Sequence, residues 1–266
     1  MTSPLLIEQE GAVVTLTLNR AEVMNTITDA DMVNAVVDAM AAINADLSVR
    51  CVILTGAGRA FSSGGNLKHM AEKSGIFGGD AIAVQNAYKT GIQRLAKAVW
   101  GCEVPMIAAV NGAAFGAGCD LTMMCDIRIA SEKAIFAENF VRAGIIPGDG
   151  GAWLLPRQIG LSRAAEMTFT AEPIRAAQAL EWGLVSKVTA PDALMDEANA
   201  LAHRIAKNPP RQLRMSKKLM REGLNLTLDQ VLDLSAAYQG AAHQTRDHME
   251  AVESLIEKRD AEFDGT

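Results

Sequence analysis

Between Asn111 and Asp126 the chain reads Asn-Gly-Ala-Ala-Phe-Gly-Ala-Gly-Cys-Asp-Leu-Thr-Met-Met-Cys-Asp. A run of small residues leads into an apolar stretch of helical character, and one carboxylate, Asp120, follows Ala117 by three positions. Residues three apart share a helix face. The first N–H groups of a helix have no intrahelical partner and favour nearby negative charge. The segment can therefore aim a backbone donor and a carboxylate at one small volume. That pairing suits a reaction that builds an oxyanion while moving a proton. The alternative reading of Asp120 is a charge that merely complements the helix dipole.

An α/β framework is expected to position this segment. Residues 12–18 alternate as a strand does, with Val14, Leu16 and Leu18 on one face. Thr28 followed by Asp31 approximates a capping box, and Met32, Val33, Val36, Val37 and Met40 give the next helix its apolar stripe. Short apolar runs follow at Cys51–Leu54, Met106–Val110, Ile127–Ala130 and Ala134–Phe136. Helical stretches between several of them predict an α/β core of short crossover units. Strand signals end near Lys187, and residues 191–206, 209–222, 227–246 and 247–259 read as helices. The division expected is an α/β body over residues 1–190 and a helical region over 191–266. The stretch 71–90 is glycine-spotted and poorly periodic at its start, in the manner of loops that shape ligand pockets.

The 266 residues, 49% of them hydrophobic, suffice for a sizeable core. A net charge of −6 argues against a broad basic face for nucleic acid. The N-terminal residues 1–10 lack the basic and apolar parts of a signal peptide, and no apolar run approaches a membrane span. Cys51, Cys102, Cys119 and Cys125 lie in apolar segments without metal-ligand spacing, so the expectation is reduced core cysteines in a cytoplasmic protein. His69, His203, His243 and His248 form neither a triad nor a metal pattern. Asp126, between helix and strand, is expected to be a structural anchor.

Several segments together resemble the crotonase (enoyl-CoA hydratase/isomerase) family. They are Leu18-Asn19-Arg20; Val52 to Lys68, which includes Ser62-Ser63-Gly64-Gly65-Asn66-Leu67-Lys68; and Asn111–Asp126 with the following Ile127-Arg128-Ile129-Ala130. Gly144-Ile145-Ile146-Pro147-Gly148-Asp149-Gly150-Gly151 and the closing Glu257-Lys258-Arg259 complete the ordered set. The resemblance implies a spiral of ββα turns, a C-terminal helical trimerisation region, and a homotrimer or hexamer. It also implies an acyl-CoA thioester substrate, with no cofactor beyond the coenzyme A that the substrate carries. By position, the backbone N–H groups of Gly65 and Ala117 would hold the thioester oxygen. Ser63, Gly64 and Phe140 fall at substrate-contacting positions. Lys68 and Lys258 fall where phosphate contacts are made, Lys258 toward the CoA of a neighbouring subunit. As bare sequence, both lysines read equally as solvated helix charges.

The family's two catalytic glutamates map to Asp120, which keeps the acid on a shorter arm, and to Phe140, where the acid is absent. Two other carboxylates could compensate. Glu138 precedes Phe140 by two positions, which face the same way on an extended segment; its alternative is a solvated charge at a strand end. Asp149 lies in the glycine-rich entrance to the next helix, one residue after the position where several isomerases of the family carry an aspartate. Its alternative is an N-cap.

The reading is an enzyme that stabilises a thioester enolate, with double-bond isomerisation of an enoyl-CoA, or its hydration by a non-standard acid pair, as the reaction. Isomerisation needs one carboxylate to carry a proton between carbons, so the loss at Phe140 penalises it less. The other classes are hydrolysis of a thioester or C–C bond and a CoA-binding relative without activity.

Overall fold

Gly11, with φ of 56°, turns the chain between β1 (Leu5–Glu10) and β2 (Val13–Leu18), which pair antiparallel. The structure is a computed structural model that describes residues 3–266, so the first two residues of the N-terminal segment lie outside it. Val14, Leu16 and Leu18 are buried while Thr15 and Thr17 are half-exposed, as the alternation predicts. Next comes α1 (Ala30–Ala45), which buries Met32, Val33, Val36 and Met40. Each such side chain contributes about 1.5–3 kcal/mol. The expected capping box is not formed. Asp29 occupies the N-cap position, and Arg20 holds both Asp29 and Asp31 in ion pairs. Thr28 does not cap the helix, and its buried hydroxyl has no partner among the described residues.

The apolar runs become a repeating pattern. β3 (Cys51–Gly56), β5 (Met106–Val110) and β7 (Ile127–Ser131) join one sheet in parallel, and each is followed by a short strand of a second sheet: β4 (Ala60–Ser62), β6 (Ala113–Phe115) and β8 (Ile135–Ala137). Between these turns lie α2 (Leu67–Glu72), α3 (Ala81–Thr90), α4 (Ile92–Trp100) and α5 (Ala117–Met124). After β8 come α6 (Gly151–Ile159), α7 (Leu161–Thr170), β9 (Ile174–Arg175), α8 (Ala176–Trp182) and β10 (Lys187–Thr189). The six-stranded sheet runs β1-β2-β3-β5-β7-β10 and the four-stranded sheet β4-β6-β8-β9. This is the spiral of ββα turns that the resemblance implies.

Four helices close the chain: α9 (Leu194–Ala206), α10 (Pro210–Glu222), α11 (Leu228–His243) and α12 (Arg246–Glu257). The first of these packs Leu194, Ala198, Ala202 and Ala206 on Cys51, Ile53, Ile107 and Ile129. The opposite face of the large sheet belongs to the main core with α1, α4 and α5. Asp126 is the anchor its position suggests: it pairs with Lys217 and Arg221 of α10, both at 2.7 Å, and accepts from the Met106 N–H at 2.8 Å. No residue of α11 is buried, and Leu228, Leu232, Leu255 and Ile256 present apolar surface.

Candidate active site

Each ββα turn delivers a loop to one end of the spiral, and two of these loops meet. Asn25, in the left-handed region at φ 54° that asparagine tolerates, is buried and donates to the carbonyls of Ala57 and Ala60 at 2.9 Å. Its own carbonyl accepts from Ser62 Oγ at 2.7 Å, which fixes the end of β4. Gly64, at φ 75°, then passes so close to the start of α5 that a Cβ there would lie 2.6 Å from the Phe115 oxygen and 2.9 Å from the Ala117 nitrogen. Glycine is required at that crossing both for the backbone angle and for the space.

Gly65 and Ala117 both line a cavity of about 380 Å³. Neither N–H donates to another group among the described residues. The Ala117 N–H opens α5, where the helix dipole adds to its pull on negative charge. Deeper apolar wall comes from Met70, Ile76, Phe77, Ile92 and Ile145. Phe77 and Tyr88 meet edge to face with ring centroids 6.3 Å apart.

The carboxylates are arranged differently from what spacing suggests. Asp120 is completely buried and does not line the cavity, although Ala117, three residues earlier, does. Its carboxylate turns instead to the start of α6, where Oδ2 accepts from the Gly151 N–H at 2.9 Å. A Cβ on Gly151 would overlap that carboxylate. Glu138 is also completely buried, which overturns the solvated reading. Nor does it share the cavity with Phe140: the chain leaves its extended path at Phe140 (φ −59°, ψ −46°), so the two-residue alternation ends there. Phe140 itself lines the cavity and rests against Gly116.

Asp149 is the buried carboxyl that reaches the cavity wall. It does not cap α6; Gly150, at φ 131°, holds the N-cap position. The other cavity-lining acid, Glu22, is solvent-exposed.

Burial pushes the Asp149 carboxyl well above the usual carboxylate range, and the charge of Asp120 adds to this. Burial and then Glu138 do the same to Asp120. Glu138 is pushed up to about 7, by burial first and by Asp149 in addition, against hydrogen bonding that favours its charged form. A carboxyl whose burial in the cavity wall favours its protonated form, beside free N–H donors, can exchange a proton with a carbon acid while the donors hold the charge that develops.

The sequence profile of the enoyl-CoA hydratase/isomerase family matches residues 8–266. A short-chain-enoyl-CoA hydratase of Clostridium acetobutylicum is 36% identical over 97% of this chain and 96% of its own. The chain belongs to the enoyl-CoA hydratase/isomerase family. A 1,2-epoxyphenylacetyl-CoA isomerase of Escherichia coli is equally similar, 36% identical over 98% of both chains. The crystal structure of an enoyl-CoA hydratase from Bacillus anthracis superposes with a TM-score of 0.92 at 32% identity, covering 99% of this chain and all of that one. A hydratase and an isomerase of CoA esters thus stand among the relatives.

Of the positions that the family resemblance singles out, Ser63, Gly65, Lys68, Ala117 and Phe140 line the cavity together with Asp149. Gly64 supports the loop crossing from behind. Lys258 ends α12 in the left-handed region, outside the cavity of its own chain.

Tyr88 is a residue that sequence reasoning did not single out. It lines the cavity beside Asp149, and its ring packs where a Cβ on Gly148 would sit. The signal was coarse but present: Ile76, Phe77 and Tyr88 all come from the 71–90 stretch read as pocket-shaping.

Proposed function

We propose that this protein isomerises the double bond of an enoyl-CoA, with Asp149 as the group that carries the proton between carbons. The observation that carries the reading is the cavity wall: Asp149 is its one buried carboxyl among the described residues, and Phe140 stands where the family resemblance implies a second acid. The thioester oxygen lies between the N–H groups of Gly65 and Ala117. Asp149 removes a proton from the α carbon, the dienolate charge settles on the oxygen facing the two donors, and Asp149 returns the proton at the γ carbon. Donors of this kind contribute about 3–4 kcal/mol each to such a transition state. The chemistry requires no metal ion and no cofactor apart from the CoA ester.

Hydration is the second reading, and Tyr88 favours it. Its phenol shares the cavity with Asp149 and makes no hydrogen bond within the chain among the described residues, so it is free to orient a water for attack. Incubation with a panel of enoyl-CoAs in deuterium oxide and heavy-oxygen water separates the two. Deuterium at the α or γ carbon without oxygen uptake supports isomerisation; oxygen incorporation assigns hydration and removes the first reading.

The proposed assembly is a trimer, or a hexamer of two trimers, formed through the apolar surface of α11 and α12. Lys258 is then free to meet the CoA of a neighbour. No helix among the described residues is long and apolar enough to cross a membrane.

A further inference from the structure

The turn that carries Asp149 has little of its own to hold it in shape. Residues 144–150 read Gly-Ile-Ile-Pro-Gly-Asp-Gly, with Gly144 at φ 74° and Gly150 at φ 131°. Glycine loses more conformational freedom on folding than any other residue, and proline brings no N–H donor. The Ile145 N–H is bonded to the Phe140 carbonyl, and the Gly150 carbonyl already serves the first turn of α6. Between these two points, one hydrogen bond reaches the turn from another element among the described residues. Gln93 Nε2, on α4, donates to the Gly148 carbonyl at 2.8 Å.

The Gly148 carbonyl belongs to the planar peptide unit that ends in the Asp149 nitrogen. Holding the oxygen therefore fixes the plane from which Asp149 is built. A carbonyl only accepts, so the amide nitrogen is the part of Gln93 that can serve it. Tyr88 of α3 packs against the same glycine: a Cβ on Gly148 would lie 2.9 Å from Tyr88 Cε1.

Gln93 stands on a firm platform. Its helix buries Ile92, Leu95 and Val99 in the main core. At the other end of α4, Trp100 meets Trp153 of α6 edge to face, with ring centroids 5.1 Å apart. One helix thus holds the entrance of α6 twice, at Gly148 ahead of it and at Trp153 in its first turn. Gln93 does not line the cavity, although Ile92 beside it does.

We propose that Gln93 is a positioning residue whose bond to Gly148 sets the reach of the Asp149 carboxyl into the cavity. This rests on the reading of Asp149 as the group that moves the proton. One carboxyl serving both the α and the γ carbon must approach two places on one bound substrate. A displacement of about 1 Å can cost on the order of 10²-fold in rate. A turn built on glycines supplies no such precision by itself, and the amide of Gln93 supplies it from outside the cavity.

Gln93→Met keeps the length of the side chain and removes its donor. On an enoyl-CoA that the native protein is found to turn over, kcat is expected to fall roughly 10-fold or more. KM is expected to stay near native, because no cavity-lining group has changed. In the Asp149→Asn background the same substitution should leave kcat nearly where Asp149→Asn alone puts it, since Gln93 acts through the carboxyl already removed. A contact that merely supported the fold would lower kcat in both backgrounds. Gln93→Glu, which sets a carboxylate oxygen against the Gly148 carbonyl, gives the same comparison if the Met variant does not fold.

Native kcat in the Gln93 variants, with Asp149→Asn slow, overturns the positioning role and leaves Asp149 as the acid/base. An equal fold-loss from the Gln93 substitution in the native and Asp149→Asn backgrounds also overturns it, because Gln93 then acts elsewhere. Native turnover in Asp149→Asn itself overturns the underlying reading of the acid, and the role of Gln93 with it.

Discussion

The Gly151 N–H donates to Asp120 Oδ2 at 2.9 Å, so a carboxylate in the first turn of one helix closes the N-terminus of another. This contact explains why Asp120 does not face the cavity. The first N–H of α6 lacks an intrahelical acceptor, and a buried donor left unpaired costs about 1–3 kcal/mol. Satisfying it draws the carboxylate away from the side of α5 that Ala117 occupies.

The same contact predicts the effect of Gly151→Ala. The added methyl would sit on the Asp120 carboxylate, with its Cβ 2.7 Å from Asp120 Cγ. Neither helix can yield without opening the packing between α5 and α6. The variant is expected to lose about 1–3 kcal/mol of stability, measured by denaturant unfolding. Stability equal to the native protein would show that the two helices are not held at this spacing.

A second prediction concerns stability and pH. Folding raises the Glu138 carboxyl from its ordinary 4.5 to about 7. Between those values the folded protein keeps a proton that the unfolded chain releases. The contribution is therefore fully present below pH 4.5 and is lost as pH rises through 7. Glu138→Gln does not titrate, so its stability should decline less over that window, the difference from native approaching on the order of 3 kcal/mol. Parallel stability–pH curves for the two proteins would contradict the raised value.

A third prediction concerns assembly. Leu228, Leu232, Leu255 and Ile256 are each more than half exposed in the single chain. Sedimentation at micromolar concentration should give a trimer or a multiple of it, and Leu228→Glu combined with Leu255→Glu should shift the protein toward monomer. A monomeric native protein would remove the proposed role of Lys258 toward a neighbouring subunit.

The framework was readable in the sequence because local patterns determine it. The alternation of β2, the stripe of α1 and the apolar runs of β3, β5, β7 and β8 are each set by which faces meet the core. The helical end of the chain was equally plain. What escaped depends on partners distant in sequence. That Asp120 follows Ala117 by three residues gives a shared helix face, yet the later Gly151 decides where the carboxylate points. Glu138 looks like a strand-end charge until α5 covers it. Arg214 and Lys217 were not singled out in the sequence, yet both are buried and donate to carbonyls of the α/β body.

The most direct test of the central claim is the turnover of Asp149→Asn on an enoyl-CoA that the native protein is found to turn over. The substitution keeps the shape of the side chain and removes its titratable proton. The account predicts a fall of roughly 10²-fold or more in kcat with CoA-ester binding retained, and a smaller fall for Asp120→Asn, whose carboxyl does not line the cavity. Native-like turnover of Asp149→Asn, with Asp120→Asn inactive, would contradict it.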